Sequence, residues 1–319
     1  MESEYQKSVD TCSLLLQNIG EKKHPDPQLF EARVLLNKSV ALFALDREEE
    51  ALTTSKQILT EFGNNQRPEL QTMLANTLLF RGGILLRLNR DEDALATYEQ
   101  LLTKFIDSNQ PELQNAVANA LTGKLSILVE MRRYEDVLLT AEQFLTRFGN
   151  SDRFELQEQI AMALTSQGVA LSKSGHTEEA LVVYGQILSR FGDSQRPELQ
   201  EQVGKAMVNQ GFAFIILAKR EKLAEKPELF LEHLDQANTA LEKAKQHLDE
   251  EDAILLQCQA YLWFLRGERE AAVPLLKQAI KLNRDEIIKG CHEDSKTHHL
   301  PEDDDFLKLV DKLVSERES

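Results

Sequence analysis

A block of 43 residues recurs along the middle of this 319-residue chain, and it limits the possible folds more than any other feature. The blocks open with similar four-residue phrases that begin at Pro68, Pro111, Phe154 and Pro197, each 43 residues after the last. Repetition at about 20–50 residues is typical of solenoids, in which each unit buries its apolar face only against its neighbours. The sequence therefore predicts an extended repeat protein.

The composition narrows the class further. It is 42% hydrophobic but only 6% aromatic, which favours helices packed through small and medium side chains. The net charge of −16 lacks the clustered cations that nucleic-acid binding requires, so we expect no nucleic-acid partner. The acidity suits either the solubility of an exposed surface or a preference for a basic partner.

Cysteine usage and hydropathy indicate the compartment. Cys12, Cys258 and Cys291 are odd in number and irregular in spacing, which argues against a disulfide framework and fits a reducing environment. Residues 1–5 are acidic and polar, unlike a signal peptide, and no apolar run approaches the roughly 18 residues of a membrane span. We expect a cytoplasmic protein with no membrane partner.

Each repeat reads as two helices, as residues 68–110 illustrate. Pro68 suits the first turn of a helix, and apolar residues at helical spacing carry that helix to about Leu88. Asp91 is the expected N-cap of a second helix that ends at Phe105. The unit is therefore an antiparallel helix pair.

The ends of the second helices carry their own signal. Gly149 and Gly192 follow the last apolar residue, which predicts a left-handed glycine that ends each helix. Ile106 occupies the equivalent position, and a branched residue tolerates that conformation poorly. We therefore expect the helix before Ile106 to end differently.

Small residues recur where the two helix axes of a pair must approach. A small residue of the first helix is followed twelve positions later by an alanine of the second in two repeats. The recurring small residues are Gly82, Gly168 and Gly211 in first helices and Ala51, Ala94 and Ala180 in second helices. We interpret the adjacent Gly83 as a further contribution to close packing.

With these residues the chain resembles the tetratricopeptide repeat family. The resemblance rests on the small first-helix residues, on the turn-and-alanine phrases at 90–94 and 175–180, and on the aromatics Tyr98 and Tyr184. The phrase at 267–272 in the last repeat matches best. The resemblance covers nearly the whole chain and implies a right-handed all-α solenoid, a superhelix of antiparallel helix pairs.

The repeats depart from the family pattern in length. The usual unit has about 34 residues, and the 43-residue unit here is nine longer. The extra residues precede the first helix and are expected to lengthen it by two turns. Leu125 stands where Gly82 and Gly168 lie, and HEAT-like repeats of similar period are the rival fold. The glycine-to-alanine spacing and the Leu282-Asn283 ending favour the tetratricopeptide fold.

The period predicts one solenoid domain in four parts. These are a leading half repeat at 1–22 formed by a single helix, five long repeats at 23–248, a sixth repeat at 249–283 and a C-terminal cap at 284–319. Gly20 and Pro25 lie one period before Gly63 and Pro68. The single helix of the leading half repeat therefore corresponds to a second helix, and the first helix of that unit is absent. Either a single helix caps the array, or the chain is the C-terminal part of a longer protein.

The fifth repeat contains an insertion of about 14 residues around 219–231. Insertions in repeat arrays map to loops, and we interpret this one as a tolerated surface loop. The alternative is a feature that contacts a partner.

No sequence motif indicates catalysis. Cys291, His292, His298 and His299, with Asp294 nearby, have metal-ligating side chains, but their spacing matches no structural zinc pattern. We interpret them as a polar surface loop. No nucleophile elbow or phosphate-binding loop is present, so we expect no enzyme activity, no metal and no cofactor.

The first helices are expected to line a concave groove, and helical phase selects the side chains that face it. This face mixes amide, hydroxyl, basic and apolar groups, which suit a peptide backbone and a carboxylate. The groove residues are Arg33, Asn37, Asn76, Leu79, Gly83, Arg87, Asn119, Thr122, Ser126, Glu130, Thr165, Val169, Lys173, Lys205, Asn209 and Phe212.

These features predict a non-catalytic protein–protein interaction scaffold that binds a peptide or protein segment in the groove. The alternative is the sensor or regulatory C-terminal arm of a larger signalling protein or enzyme. Weak self-association through the open N-terminal helix is a third possibility.

Overall fold

A computed structural model describes residues 2–18, 24–249 and 251–315 of the chain, and every regular element within them is helical. The fifteen α-helices and one short 3-10 turn at Phe154–Leu156 carry the labels used below. The helices are α1 Glu2–Gln17, α2 Pro27–Ala44, α3 Glu48–Phe62, α4 Pro68–Arg87, α5 Asp91–Phe105, α6 Pro111–Glu130, α7 Tyr134–Phe148, α8 Gln157–Lys173, α9 Thr177–Phe191, α10 Pro197–Leu223, α11 Pro227–Ala244, α12 Ala253–Leu265, α13 Arg269–Leu282, α14 Arg284–Asp294 and α15 Pro301–Ser315.

The chain forms two compact units, Met1–Met131 and Arg132–Ser319. In unit 1, α1 packs on α2, the pairs α2–α3 and α4–α5 follow, and α6 packs on α4 and α5. In unit 2, α7 packs on α8, the pairs α8–α9, α10–α11 and α12–α13 follow, and α14 and α15 close the unit. We call α2, α4, α6, α8, α10 and α12 the first helices and their successors the second helices.

The helices of the protein follow the 43-residue period. The helices α5, α7 and α9 begin at residues 91, 134 and 177, each 43 residues after the last. As predicted, α4 runs from Pro68 to Arg87 and α5 ends at Phe105. The prediction of two extra turns is also confirmed, because α4 has 20 residues and α12, in the shorter sixth repeat, has 13.

The small residues lie where two helices touch. A β-carbon added at Gly82 would stand 2.4 Å from the ring of Tyr98, and one at Gly168 would stand 2.4 Å from the ring of Tyr184. Ala94 and Ala180 are fully buried in the facing helices. The buried aromatics therefore occupy the space that these glycines leave. At the equivalent positions of α6 and α7, Leu125 and Val137 replace the two small residues.

The predicted helix ends were wrong in detail. Gly149 and Gly192 are right-handed, with φ of −57° and −56°, and Ile106 has φ −54° and ends its helix in the same way. Because these residues do not leave the right-handed region, glycine is not required there. Asp91 is not the N-cap either, since it is the first residue of α5, and the residue before it makes no side-chain cap.

The left-handed residue lies instead in the turn after each first helix. Asp46, Asn89 and Arg132 have φ of 55°, 54° and 59° at 43-residue intervals, and Gly175 continues the series at 86°. After α4, the Asn89 N–H donates to the Leu86 carbonyl and the next N–H donates to the Leu85 carbonyl. This bonding closes the helix and reverses the chain.

The insertion is helical, so the prediction of a surface loop was wrong. The helix α10 continues twelve residues past Gly211, whereas α4 ends five residues after Gly82. The helix α11 begins ten residues before Ala237, whereas α9 begins three residues before Ala180. Each helix therefore gains seven residues, which is close to two whole turns and keeps its packing face in phase.

The C-terminal segment, for which the sequence predicts a cap at 284–319, forms two helices. They are α14, Arg284–Asp294, and α15, Pro301–Ser315. The helix α1, Glu2–Gln17, lies within the segment 1–22 predicted as a leading half repeat, while Gly20 lies outside the described residues. The four-part division at 22, 248 and 283 remains a prediction.

Candidate functional site

Most of the predicted groove residues reach solvent on the first helices. Arg33, Asn37, Asn76, Gly83, Arg87, Asn119, Ser126, Glu130, Lys173 and Lys205 are exposed, and Leu79, Thr165, Val169, Asn209 and Phe212 are half-buried. Thr122 is the exception, because it is buried and its hydroxyl donates to the carbonyl of Ala118. Its side chain is therefore unable to serve as a ligand group.

In unit 1 the first-helix face contains a cavity of about 450 Å³. Three predicted residues, Asn76, Leu79 and Gly83, line it. Ile84, Phe43 and Phe80 complete the lining, and the two aromatic rings are 5.4 Å apart and nearly perpendicular. The cavity therefore joins an aromatic and aliphatic surface to one amide that both donates and accepts hydrogen bonds.

The two adjacent glycines of α4 have different roles. Gly82 faces Tyr98 in the core, as predicted, but a β-carbon at Gly83 would meet no atom within 4 Å. The prediction that Gly83 permits close packing was therefore wrong. Its missing side chain leaves the cavity open, and the helix tolerates a glycine there at a cost of about 1 kcal/mol relative to alanine.

Arg87 stands beside this cavity and is held by the protein's own carboxylates. Its guanidinium lies 4.0 Å from the centroid of the Phe43 ring and pairs with Asp46 at 2.9 Å and with Glu48. The pKa of Glu48 is lowered, first by a backbone N–H and then by Arg87. Arg87 is therefore a preorganised cation on an aromatic surface, and its charge is already balanced.

In unit 2 the C-terminal segment of α14 and α15, which we call the cover, contacts the corresponding position through Asp294. Lys173, 86 residues after Arg87, pairs with Asp294 of α14 at 2.7 Å, and its ammonium lies 4.9 Å from the ring centroid of Phe212. Gln257 of α12 donates to the second carboxylate oxygen of Asp294 at 3.2 Å. Two first-helix side chains thus hold a carboxylate of the same chain.

A buried ion pair anchors this cover. Lys219, in the extended part of α10, pairs with Asp303 of α15 at 2.9 Å, and the two side chains are 1% and 0% exposed. Tyr261 donates its hydroxyl to Asp303, and Lys219 also donates to the backbone carbonyl of Asp294 at 3.2 Å. Each buried charge has hydrogen-bonding partners, as burial requires.

The electrostatics follow from burial and pairing. Burial lowers the pKa of Lys219, and it raises the pKa of Asp294 despite the neighbouring ammonium groups. Burial also opposes the charge on Lys173, but Asp294 outweighs it and raises the pKa of that ammonium. Lys173 therefore stays a cation under the cover.

The remaining cations of the predicted groove differ in their pairing. Lys205 pairs with Glu201 of its own helix at 2.6 Å. Arg33 has no ion-pair partner within the described part of the chain. Of the four cations expected to meet a ligand carboxylate, Arg33 is thus the one that pairs with no carboxylate among the described residues.

The cysteine and histidine cluster of the C-terminal segment is not assembled as a ligand set. Cys291 is buried in α14, and burial raises the pKa of its thiol to about 12. His298 and His299 are exposed in the turn before α15. Across residues 2–18, 24–249 and 251–315, no three His, Cys, Asp or Glu side chains are grouped to hold a metal ion.

Comparison with solved structures supports the fold. A Rap protein complexed with competence and sporulation factor matches with a TM-score of 0.50 and 12% identity, covering 100% of this chain and 87% of that one. The chain has a tetratricopeptide-type repeat fold. PilW, a type IV pilus biogenesis factor, gives a TM-score of 0.48 at 14% identity over 80% of this chain and 94% of its own.

Other comparisons add no closer assignment. The tetratricopeptide repeat protein TTC0263 of Thermus thermophilus gives a TM-score of 0.35 at 18% identity over 72% of this chain and 98% of that one. No family model and no curated protein matches the sequence. Among the described helices, none combines the length and apolar character that a bilayer crossing needs.

Sequence reasoning found part of the site and missed its aromatic half. Phe43 and Phe80 line the cavity but are absent from the set that helical phase selects. The sequence signal for them is that aromatic residues make up only 6% of the chain, so each one is notable. In the structure both side chains are half-buried. Asp294 and Asp303 lie outside the first helices, so the helical phase of those helices gives no information about them.

Proposed function

We propose that this protein is a non-catalytic interaction scaffold that binds a peptide or protein segment on the first-helix face of unit 1. The observation that carries the proposal is the cavity lined by Asn76, Leu79 and Gly83, residues that periodicity alone had placed on one face. A cavity of about 450 Å³ lies within the range of small binding sites and accommodates a bulky side chain.

The chemistry of the cavity selects an apolar anchor. Leu79, Phe43 and Phe80 would bury an aliphatic or aromatic side chain, while the Asn76 amide would bond the peptide backbone beside it. Arg87 already balances two carboxylates, so we assign it a role in holding Phe43 rather than in binding a ligand carboxylate. The Rap structure, solved with a bound factor, offers a precedent for ligand binding by this type of fold.

Filling the cavity tests the proposal. Gly83→Leu adds a side chain where no atom lies within 4 Å and raises helix propensity, so we expect unchanged or slightly higher thermal stability. Partners captured from a native lysate by the wild-type protein and measured by mass spectrometry should be lost by this variant. Gly185→Leu is the matched control, since Gly185 lies within helix α9 and a β-carbon added there also meets no atom within 4 Å.

The two variants separate the outcomes. Loss of the same partners from both variants would indicate a non-specific effect of the added leucine. Retention of every partner by Gly83→Leu, with the fold intact by circular dichroism, would remove the cavity as the binding site.

A further inference from the structure

A second groove lies on the other side of unit 2, between the second helices α9 and α11. This α9–α11 groove is a cavity of about 770 Å³ with the side chains of Met207 and Phe214 from α10 on its floor. Leu188 of α9 and Leu231 of α11 form apolar walls. It is separate from the first-helix face, since its walls come from second helices.

The insertion builds one wall of this groove. Because α11 begins seven residues earlier than the other second helices relative to its packed alanine, Glu228, Leu231 and Glu232 belong to the added turns. The second helix of the neighbouring pair, α9, begins after the equivalent positions. The added turns therefore supply wall residues that the 43-residue repeat does not have.

The apolar part of the groove is accessible to solvent. Leu231 is 56% exposed, and Met207 and Phe214 are half-buried on the floor beside it. Apolar side chains clustered with a polar rim mark surfaces that bind other proteins. Removing such apolar surface from water is favourable by about 25 cal/mol per Å², so a partner that covers it gains affinity.

The rim carries an excess of negative charge at one end. Glu228 and Glu232 stand four residues apart, so they repel each other along α11. Within the described part of the chain neither has an ion-pair partner, while the third rim carboxylate, Asp235, pairs with Arg266. A cation from outside the chain would offset this repulsion.

The opposite end of the groove carries a positive charge. Lys243 lies fifteen residues after Glu228, which corresponds to about 22 Å along α11. The groove thus has a polarity, with carboxylates at the start of α11, an apolar middle and an ammonium at its end. Its length and shape fit a helix of four turns.

We propose that the α9–α11 groove binds an amphipathic helix of a partner protein that places Lys or Arg opposite Glu228 and Glu232 and an apolar face on Leu231 and Phe214. Helices recognised in grooves present apolar anchors at i, i+3, i+4 and i+7, which this floor accommodates. Charge complementarity fixes the direction of the bound helix. The chain's net charge of −16 adds a general attraction for a basic segment.

A displayed peptide library tests the chemistry directly. A phage library of random peptides of about 18 residues, long enough to span the groove as a helix, is selected on the wild-type protein and counter-selected on Leu231→Ser. We expect the retained sequences to carry apolar residues at helical spacing with Lys or Arg near one end. A selected peptide should bind Leu231→Ser at least tenfold more weakly by fluorescence anisotropy.

Matched variants separate the groove from general surface effects. Leu139→Ser removes a leucine of α7 that is 65% exposed, and it should leave affinity unchanged. Glu228→Gln with Glu232→Gln should weaken binding about fivefold, whereas Glu135→Gln with Glu142→Gln, the same charge change on α7, should not.

Three results would overturn the proposal. The first is a selection with no sequence that distinguishes wild type from Leu231→Ser, and the second is enrichment of acidic peptides. The third is self-association in sedimentation experiments that Leu231→Ser abolishes, which would assign the groove to a second copy of the chain. Gly83→Leu leaves the α9–α11 groove untouched, so failure of the first-helix site is recognised separately.

Discussion

The two units place a cation at the same repeat position and use it differently. In unit 1, Arg87 is held by Asp46 and Glu48 of the preceding turn, and the neighbouring cavity stays open. In unit 2, Lys173 is held by Asp294, which is 121 residues away in the sequence. The comparison shows that one repeat position serves an accessible face in one unit and the attachment of a C-terminal cover in the other.

The neighbouring position reinforces the difference. Gly83 of unit 1 corresponds, two periods later, to Val169 of unit 2. The absent side chain leaves a cavity in unit 1, whereas Val169 is half-buried. A repeat array can therefore vary the function of its units through residues that do not contribute to the shared core.

The buried pair that anchors the cover offers the largest test of this comparison. Asp303→Ala leaves the ammonium of Lys219 without its carboxylate at 1% exposure, so we expect the free energy of unfolding to fall by about 3–5 kcal/mol. Urea denaturation measures this loss of unfolding free energy. Hydrogen exchange of the backbone amides should become faster in α14 and α15.

A double variant provides the control for that test. Lys219→Met with Asp303→Leu replaces both charges by apolar groups and should be more stable than either single variant. A loss below about 1 kcal/mol in Asp303→Ala would show that the pair does not anchor the cover.

The adjacent glycines of α4 distinguish core from cavity within unit 1. Gly82→Ala forces a methyl against the Tyr98 ring, and we expect it to lower the free energy of unfolding by about 1–3 kcal/mol. Gly83→Ala meets no atom and should raise it by up to about 1 kcal/mol. Equal effects at the two positions, measured by thermal denaturation, would contradict their assigned roles.

Removing the equivalent cations compares the units most directly. Lys173→Met leaves Asp294, whose side chain is 13% exposed, with one fewer partner, so we expect a loss of about 1–3 kcal/mol. Arg87→Met removes a pairing with Asp46, which is 85% exposed, and with Glu48, so it should lower the free energy of unfolding less than Lys173→Met does. The reverse order in urea denaturation would show that unit 2 does not depend on its cover.

The smallest expected effect is a pH dependence of opposite sign in the two units. The hydrogen bond from Arg67 lowers the pKa of Asp26 to about 2 from 3.8, so its contribution is complete above the higher value and lost as the pH falls towards the lower. Burial raises the pKa of Asp294, so its contribution is present below 3.8 and lost as the pH rises through the folded value.

Two amide variants measure these contributions. The free energy of unfolding is measured from pH 3 to pH 6. Asp26→Asn removes a contribution that grows with pH, so the free energy should rise less with pH than in the wild type. Asp294→Asn removes a contribution that shrinks with pH, so the free energy should fall less with pH than in the wild type. The same direction of change in both variants would contradict the assignment. Asn89→Asp, in an exposed turn, is a control that adds a carboxylate outside both networks.

Much of the fold was predictable because it depends on local, repeated signals. Pro68 and Pro111 open first helices, and Gly82 with Ala94 marks the closest approach of a pair, so spacing alone located them. The right-handed conformation of Gly149 was not predictable, since a glycine after the last apolar residue fits a right-handed helix end as well as a left-handed one. The insertion was misread because seven residues in each of two helices look like a loop of fourteen.

The candidate site was predictable only in part. Helical phase brought Asn76 and Leu79 to one face, and the structure places both in the cavity. Phase did not show that Thr122 is buried or that Arg87 and Lys173 are already paired. Those facts depend on neighbouring helices, which the periodicity of one helix does not encode.

By itself, the sequence determined the repeat length, the helix pairs and the small residues at their contacts, because each follows from interactions within one period or between adjacent helices. The tertiary structure alone decided that unit 1 keeps an open cavity and that α14 of unit 2 reaches Lys173 at the corresponding position. The reason is physical: Lys173 meets Asp294 across 121 residues, and a contact at that separation exists only after the intervening helices have packed.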